Sequence, residues 1–194
     1  MKIYDTIKSR RTIRQFRADT VPRKLLERMV NAARLAPSAA NRQPLEFLVV
    51  DDKEIVTLIF PHIKWAAYIA PNGNPRPGNE PTAYILTMVN TDIRQSGFEW
   101  DAGAAIENMI LTAQEEGVGS CWILSFDKEA AGRIVGLPDK YKIDSILALG
   151  YPNEDPAVED LTDSVKYWKD KSGRLHVPKR TLESVIHYNG FQPD

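Results

Sequence analysis

The sequence predicts a single domain in which helices and strands follow one another in mixed order. Three observations lead to this prediction. The length of 194 residues suits one domain. Several stretches carry apolar residues at helical spacing, with charged residues on the opposite face. Between them lie short apolar runs rich in β-branched residues, which are typical of core strands.

The first half of the chain predicts three helices and two strands. The second helix begins at Pro22, because proline is favoured in a first turn. It ends near Ala36, because Pro37 disfavours helical backbone in the residue before it. We therefore expect helices at 4–9, 22–36 and 52–60, and strands at 45–50 and 83–89.

The second half continues the same alternation. Gly117 is a suitable C-terminal cap for a long helix, and Asp127 is a suitable N-terminal cap for a short one. We expect these helices at 98–116 and 128–135, and strands at 120–123 and 143–149. Small residues at 102–105 allow another helix to approach closely, either within the core or across a dimer interface.

Composition and charge exclude several classes of protein. A formal net charge of −1 argues against nucleic acid as the main partner. The single cysteine, Cys121, rules out an internal disulfide and a cysteine-rich metal site. No apolar run reaches the ~18 residues of a membrane span, and the first five residues contain no apolar signal-peptide core. We expect a cytoplasmic protein with no metal, nucleic-acid or membrane partner.

Three arginines lie within five residues near the N-terminus: Arg10, Arg11 and Arg14. Ile13 and Phe16 beside them are apolar and are expected to anchor the segment to the core. Arginine suits the forked binding of phosphate and other planar anions, and no acidic residue between positions 8 and 18 offsets the charge. The cluster therefore indicates either a bound anionic cofactor or a solvated basic turn.

Two loops are candidates for ligand contact. Residues 37–44 combine small side chains, two amides and a hydroxyl between two prolines, so they could approach a ligand or simply connect two elements. Residues 62–82 form a long stretch rich in proline, glycine and asparagine, which indicates a lid or a partly disordered segment. Trp65 and Tyr68 at its base are candidate substrate contacts.

The last segment, residues 153–194, is polar and carries no core pattern before Leu182, Val185 and Ile186. The apolar pattern assigns no helix or strand to it. Because it has no core of its own, it should lie on another surface, such as a second subunit; the alternative is a flexible tail.

Taken together, five stretches resemble the flavin-dependent nitroreductase family in its short single-domain form, over nearly the whole chain of 1–194. None of them is specific alone, but all five follow in the family's order and spacing. They are SRRTIRQF at 9–16, AARLAPSAANRQP at 32–44, the helix from Asp101 with GSCWI at 119–123, LALGYP at 147–152, and KRTLE at 179–183.

The resemblance implies an α+β fold with a central mixed β-sheet flanked by helices. It also implies an obligate homodimer with FMN at the interface, and a C-terminal segment that extends onto the dimer partner. The implied reaction is reduction by NADH or NADPH, followed by two-electron transfer to a small-molecule acceptor such as a nitroaromatic or quinone.

The family's cofactor contacts carry over by position. Arg10, Arg11 and Thr12 would contact the FMN phosphate and ribityl chain, and Arg14 would lie near the pyrimidine edge of the ring. The other implied contacts are Pro37, Ser38, Ala39, Asn41 and Gln43 from the other subunit, backbone groups of Ile123, Leu124 and Ser125, and finally Lys179 and Arg180 at the phosphate.

The residue types agree with these implied roles. Cations suit a phosphate dianion, and no side chain need act as a catalytic group because the flavin carries the chemistry. Accordingly, we find no Gly-x-Gly-x-x-Gly, metal or nucleophile motif. Two positions depart from the family: Leu45 replaces a frequent tryptophan, and Leu124 a frequent glycine. The open alternatives are a flavin-dependent dehydrogenase or oxidase, a reductive dehalogenase, and a flavin-binding module without activity.

Overall fold

The computed structural model describes residues 2–191. The ends of the predicted domain, Met1 and 192–194, lie outside this range. The helices are α1 (Ile3–Ser9), α2 (Arg23–Ala33), α3 (Lys53–Ile59), α4 (Glu99–Glu115) and α5 (Lys128–Val135). The strands are β1 (Leu45–Val50), β2 (Ala83–Asn90), β3 (Gly119–Ile123), β4 (Tyr141–Gly150), β5 (Ala157–Asp160), β6 (Trp168–Lys169) and β7 (Leu175–Lys179).

The central sheet has the order β1–β2–β4–β3, and its three ladders are antiparallel. A single parallel bridge between Thr12 and Ser120 adds the N-terminal segment to the free edge of β3. The extended sheet is therefore mixed, and the predicted α+β fold with a central mixed sheet flanked by helices is confirmed.

Side chains alternate between the two faces of this sheet, as a period of two requires. In β2, Ala83 and Ile85 face a core shared with α2 and α4, whereas Tyr84 and Leu86 face a second core. The second core includes residues of α3 and α5 and the stretch 63–66. The sheet is therefore covered on both sides, which explains why β2 is buried along its whole length.

Capping residues and apolar periodicity in the sequence predicted most of the helices and strands correctly. Asp127 accepts a hydrogen bond from the backbone N–H of Ala130, which caps α5 as predicted. Gly117 has φ of 71° and ends α4. The exception is α2, which ends at Ala33 rather than near Ala36, because residues 34–36 already form turns before Pro37.

The structure contains strands at 157–179 that the apolar pattern of the sequence did not reveal. Here β5, β7 and β6 form a second, three-stranded sheet, which we call the tail sheet. Its short strands bury only part of their surface, with Leu175 as their most buried apolar residue at 3% exposed. A sheet with so few inward positions leaves no periodic pattern in the sequence.

Candidate functional site

The N-terminal segment 10–16 lies against β3 and the end of β4. Ile13 donates from its backbone N–H to the carbonyl of Ser120, and Phe16 is fully buried. The predicted anchoring by these two apolar residues is confirmed. Glycine is needed beneath them, because a Cβ atom at Gly119 or Gly150 would lie 2.9 Å from Ile13 or Phe16 respectively.

The three arginines of this segment have different surroundings. The Arg10 Nε atom lies 4.0 Å from Glu107 Oε1, so α4 supplies a counter-charge that the local sequence did not reveal. Arg11 donates to the carbonyl of Lys8 at 2.7 Å, and its pKa is lowered, first by burial and then by the charge of Arg10. Arg14 instead enters a cleft. The cluster in the sequence therefore divides: Arg10 and Arg11 stay close enough for their charges to interact, and Arg14 alone lines the cleft.

The cleft has a volume of about 630 Å³ and opens beyond the end of β3. It brings together five of the predicted site residues: Arg14, Trp65, Ile123, Leu124 and Ser125. Trp65 is buried at 6% exposed, whereas Leu124 is 59% exposed.

The 62–82 segment forms one wall of this cleft and is fastened to the N-terminal segment. Gln15 is buried, its side chain donates to the carbonyl of Asn74 at 2.9 Å, and it accepts from the backbone N–H of Arg76 at 3.0 Å. Tyr68 lies outside the lining of the cleft, and its ring packs 5.0 Å from that of Tyr167. No sequence motif marked Gln15, although it lies between the two apolar anchors Ile13 and Phe16.

Arg14 lies among groups from three parts of the chain. Its guanidinium lies over the ring of Tyr167, 5.2 Å from the centroid. The Cys121 thiol is buried, which raises its pKa to about 11, while the positive charge of Arg14 acts in the opposite direction. Glu154 accepts hydrogen bonds from the backbone N–H groups of Arg14 and Gln15. No sequence signal marked Glu154 or Tyr167.

The 37–43 loop is held by a buried carboxylate at the start of α4. Asp101 accepts from Ser38 Oγ at 2.7 Å and from the backbone N–H of Ala39 at 3.2 Å. Ser38 Oγ in turn accepts from the backbone N–H of Gln43 at 2.9 Å. Asn41 and Gln43 have positive φ angles of 52° and 49°. These contacts fix a compact polar loop. Asp101 itself was quoted only as the start of a helix.

A second cavity, of about 80 Å³, lies beside this loop. Pro37, Ser38 and Gln43 line it, together with Leu45, the first of the two departures from the family pattern.

One protomer does not bring this loop to the cleft. The loop precedes β1 and the cleft follows β3, and these strands are the two outer members of the central sheet. The antiparallel ladders place both at the same end of the sheet. Three steps between strands separate them by about 14 Å.

The late cations lie at the end of β7 and directly after it. Lys179 ends β7, and Arg180 donates from its guanidinium to Ser184. Among the described residues, no hydrogen bond or ion pair joins Lys179 or Arg180 to Arg10, Arg11 or Arg14. Their convergence on one ligand stays a prediction.

Two further findings concern residues 2–191. No helix there combines the length and the apolar character that crossing a bilayer would require. The histidine, cysteine and acidic side chains of this part of the chain form no group of three that could hold a metal ion.

Comparison with known proteins gives the fold and the cleft a family context. The chain is 30% identical over 169 residues to a Methanothermobacter thermautotrophicus protein provisionally named NADH dehydrogenase/NAD(P)H nitroreductase, with 84% of each chain covered. It is 24% identical over 167 residues to iodotyrosine deiodinase of Thermotoga neapolitana, with 78% of this chain and 89% of that protein covered.

A similar solved structure is that of an FMN-dependent nitroreductase from Clostridium difficile. The TM-score is 0.69 and the identity 24%, with 96% of this chain and 98% of that chain covered. The family model described as "Nitroreductase family" matches residues 7–151. These residues include the N-terminal arginines, the 37–43 loop and the cleft, and the chain belongs to the nitroreductase family.

Proposed function

We propose that this protein is an FMN-dependent oxidoreductase that uses NADH or NADPH to reduce nitroaromatics, quinones or similar flat acceptors. The two half-reactions would follow one another at the same cleft, in ping-pong order. The observation that carries the proposal is a cleft of suitable size in a nitroreductase-family chain, lined by Arg14, which forms no ion pair with any carboxylate of residues 2–191.

The residues present fit an FMN ring. The cleft volume of about 630 Å³ is in the range of small-molecule sites. Two polar atoms buried beside it, Arg14 Nε and Trp65 Nε1, have no hydrogen-bond partner among the described residues. Buried N–H groups are normally hydrogen-bonded, so these two would donate to a bound ligand, and a flavin ring carries several acceptor atoms.

Each part of the cofactor has proposed partners in the chain. Arg14 would lie near the pyrimidine edge, and backbone groups of 123–125 would lie near N5. The phosphate and ribityl chain would be held by Arg10, Arg11 and Thr12, completed by Lys179 and Arg180. Trp65 and Tyr68 would contact the acceptor.

The 37–43 loop supports a homodimer. Pro37, Ser38, Ala39, Asn41 and Gln43 lie at the opposite outer strand from the cleft, so they would reach a flavin only from the other subunit. A site built from two copies would use both outer strands of each sheet. The C-terminal segment after the tail sheet would extend onto the partner.

When bound, FMN supplies the hydride and electron chemistry. The contribution of the chain is to bind, orient and polarise. A fixed positive charge from Arg14 would stabilise the negative charge of the reduced ring and raise its reduction potential. Because the flavin would carry the reaction, the site needs no acid–base pair of side chains.

The test is direct. The purified protein should show a flavin spectrum, or acquire one on reconstitution with FMN. It should then oxidise NADH or NADPH in the presence of nitrofurazone or menadione. A colourless protein that FMN does not reconstitute would contradict the proposal.

A second candidate is reductive dehalogenation. The observation that favours it is the similarity to iodotyrosine deiodinase of Thermotoga neapolitana. The two candidates separate when 3-iodotyrosine is offered to the reduced holoenzyme, because release of iodide at a rate above that of nitrofurazone reduction would favour the second. A bound flavin reduced by a substrate but not by a nicotinamide would instead indicate a dehydrogenase or oxidase. Binding without turnover would indicate a flavin-binding module.

A further inference from the structure

The tail sheet contacts the wall of the cleft through Tyr167. Tyr167, which directly precedes β6, places its ring over the guanidinium of Arg14, 5.2 Å from Cζ to the centroid. A cation over an aromatic face is attracted by the charge distribution of the ring. Tyr68 packs against the same ring at 5.0 Å, and its backbone N–H lies 3.4 Å from the Tyr167 hydroxyl. One aromatic side chain therefore joins the tail sheet, the 62–82 segment and the N-terminal segment.

Arg14 has no stronger partner in the described part of the chain. Its guanidinium makes no ion pair within residues 2–191, and its Nε is buried without a hydrogen bond there. The nearby carboxylate of Glu154 accepts from the backbone of Arg14 instead. The groups beside the guanidinium are the Tyr167 ring and the thiol of Cys121. Because a thiol is a weak partner, the ring is the main constraint on where this charge lies.

Tyr167 is itself held in place by the sheet that carries it. The indole N–H of Trp168 donates to Glu159 at 2.7 Å, which joins β6 to β5. Lys169 donates to the carbonyl of Asn72 at 2.9 Å, which joins β6 to the 62–82 segment. The two residues that follow Tyr167 in the chain are thus tied down, which restricts how far its ring can move from Arg14.

We propose that Tyr167 is a positioning residue whose ring holds the Arg14 guanidinium in the cleft and thereby sets FMN affinity and the reduction potential of the bound flavin. This inference rests on the proposed function. Tyr167 lies beyond residues 7–151, so the support for Arg14 comes from a part of the chain that the family model does not match.

The test compares two substitutions in the full-length protein. Tyr167→Met removes the ring but keeps an apolar side chain of similar reach, and it should weaken FMN binding about fivefold, the size of a partly exposed cation–π contact. It should also shift the reduction potential of the bound flavin to more negative values. Tyr167→Phe keeps the ring and should keep both properties close to wild type. Tyr167→Leu replaces the methionine variant if that variant does not fold.

A double-mutant cycle shows whether the effect passes through Arg14. In an Arg14→Met background, Tyr167→Met should cause no further loss of FMN affinity. An equal loss in both backgrounds would mean that Tyr167 supports the fold and not Arg14, and would overturn the inference.

Tyr151→Leu is the matched control, because it removes a similar pair, Arg17 over Tyr151 at 5.3 Å, that does not line the cleft. It should leave the flavin potential unchanged. A wild-type protein that does not bind FMN would contradict the proposed function itself. Normal FMN binding with an unchanged potential in Tyr167→Met would contradict only the positioning role.

Discussion

The carboxylate of Glu154 illustrates how single residues shape the cleft. It lies close to Arg14 but accepts hydrogen bonds from two backbone N–H groups, those of Arg14 and Gln15. A carboxylate used in this way fixes the main chain, and the Arg14 guanidinium forms no ion pair with any residue of 2–191. The positive charge therefore remains available to a ligand at the cleft.

A prediction at this scale concerns Arg10, which we place at the FMN phosphate. Arg10→Ala should weaken FMN binding by about 1.5–3 kcal/mol, the scale of a hydrogen bond to a charged group. Fluorescence titration of the apoprotein with FMN measures this. Arg17→Ala is the control, because Arg17 is exposed and pairs with Asp19 at 3.5 Å. Equal FMN affinity in wild type and Arg10→Ala would show that the arginine is misplaced.

Leu124 gives a second prediction for a single side chain. It lines the cleft and is largely exposed, so its branched side chain should narrow the space for the acceptor. Leu124→Ala should raise the ratio of kcat/KM for bulky quinones to kcat/KM for small nitroaromatics by about tenfold. This is the low end of the discrimination that a methylene group gives in an apolar pocket. Leu58→Ala, an exposed leucine of α3, should change neither value. An unaltered acceptor preference in Leu124→Ala would contradict this role.

At the scale of elements, close contact between the N-terminal segment and the central sheet decides where the arginines lie. This contact depends on Gly119 beneath Ile13 and on Gly150 beneath Phe16, because a side chain at either position would fill the space between them. The sequence showed the apolar anchors, but the need for glycine beneath them follows only from the packing.

Gly150→Ala tests this contact. The added Cβ would lie 2.9 Å from Cδ1 of Phe16, which is fully buried and cannot move aside freely. We expect a loss of about 1–3 kcal/mol in the free energy of unfolding, as for other overpacked cores, measured by urea denaturation. Gly132→Ala in α5 is the control, because its Cβ would meet Leu137 at an ordinary 3.6 Å. That variant should gain about 0.5–1 kcal/mol from lower chain entropy. An equally stable Gly150→Ala would contradict the packing argument.

The turn of the tail sheet depends on one carboxylate. Asp170 accepts from Ser172 and Arg174 and lies 3.2 Å from His176, and its pKa is lowered to about 2, first by the hydrogen bond from Ser172. A carboxyl group with a lowered pKa stabilises the fold when ionised. Its contribution is therefore complete above its ordinary value of 3.8 and is lost as the pH falls through about 2.

Asp170→Asn should remove this pH dependence. The difference in unfolding free energy between wild type and variant should shrink between pH 4 and pH 2, and the amide signals of Ser172 and Arg174 should titrate in the wild type only. NMR and urea denaturation measure the two effects. Asp163→Asn, an exposed site in the same segment, is the control. A difference in unfolding free energy that stays constant between pH 4 and pH 2 would contradict the role given to Asp170.

At the scale of the whole molecule, the protomer leaves several large apolar side chains exposed on neighbouring elements. Ile3 and Tyr4 of α1 and Trp100 of α4 are each more than two-thirds exposed. Helix α1 packs against α4, so these side chains lie on adjacent helices. Ala102 and Ala105 face the core, whereas Gly103 and Ala104 are only half-buried. The small residues of α4 thus serve the core on one side, and we propose that a second copy packs against the other, half-buried side.

A charged side chain on this open side should disrupt the proposed homodimer. The wild type should sediment at twice the mass of one chain. Gly103→Arg should shift it toward monomer and lower its FMN content, because burying an unpaired charge is costly. The protomer should stay folded, because a Cβ at Gly103 meets no atom within 4 Å. Leu58→Arg on α3 should remain dimeric. A monomeric wild type that binds FMN would contradict the shared site.

The sequence by itself determined the features that depend on residues close together in the chain. The bounds of β1 and α5, the Asp127 cap and the Gly117 helix end all follow from local periodicity and local hydrogen bonds. The five motifs, read in order, determined the family and with it the fold.

Only the tertiary structure decided the surroundings of the three arginines, the tail sheet and the contact between Tyr167 and Arg14. The physical reason is that these features come from contacts between residues far apart in the chain. Glu107, Glu154 and Asn74 each meet a partner in the N-terminal segment that lies at least 59 positions away. No periodic pattern records such pairs, and the free energy of packing the whole chain selects them.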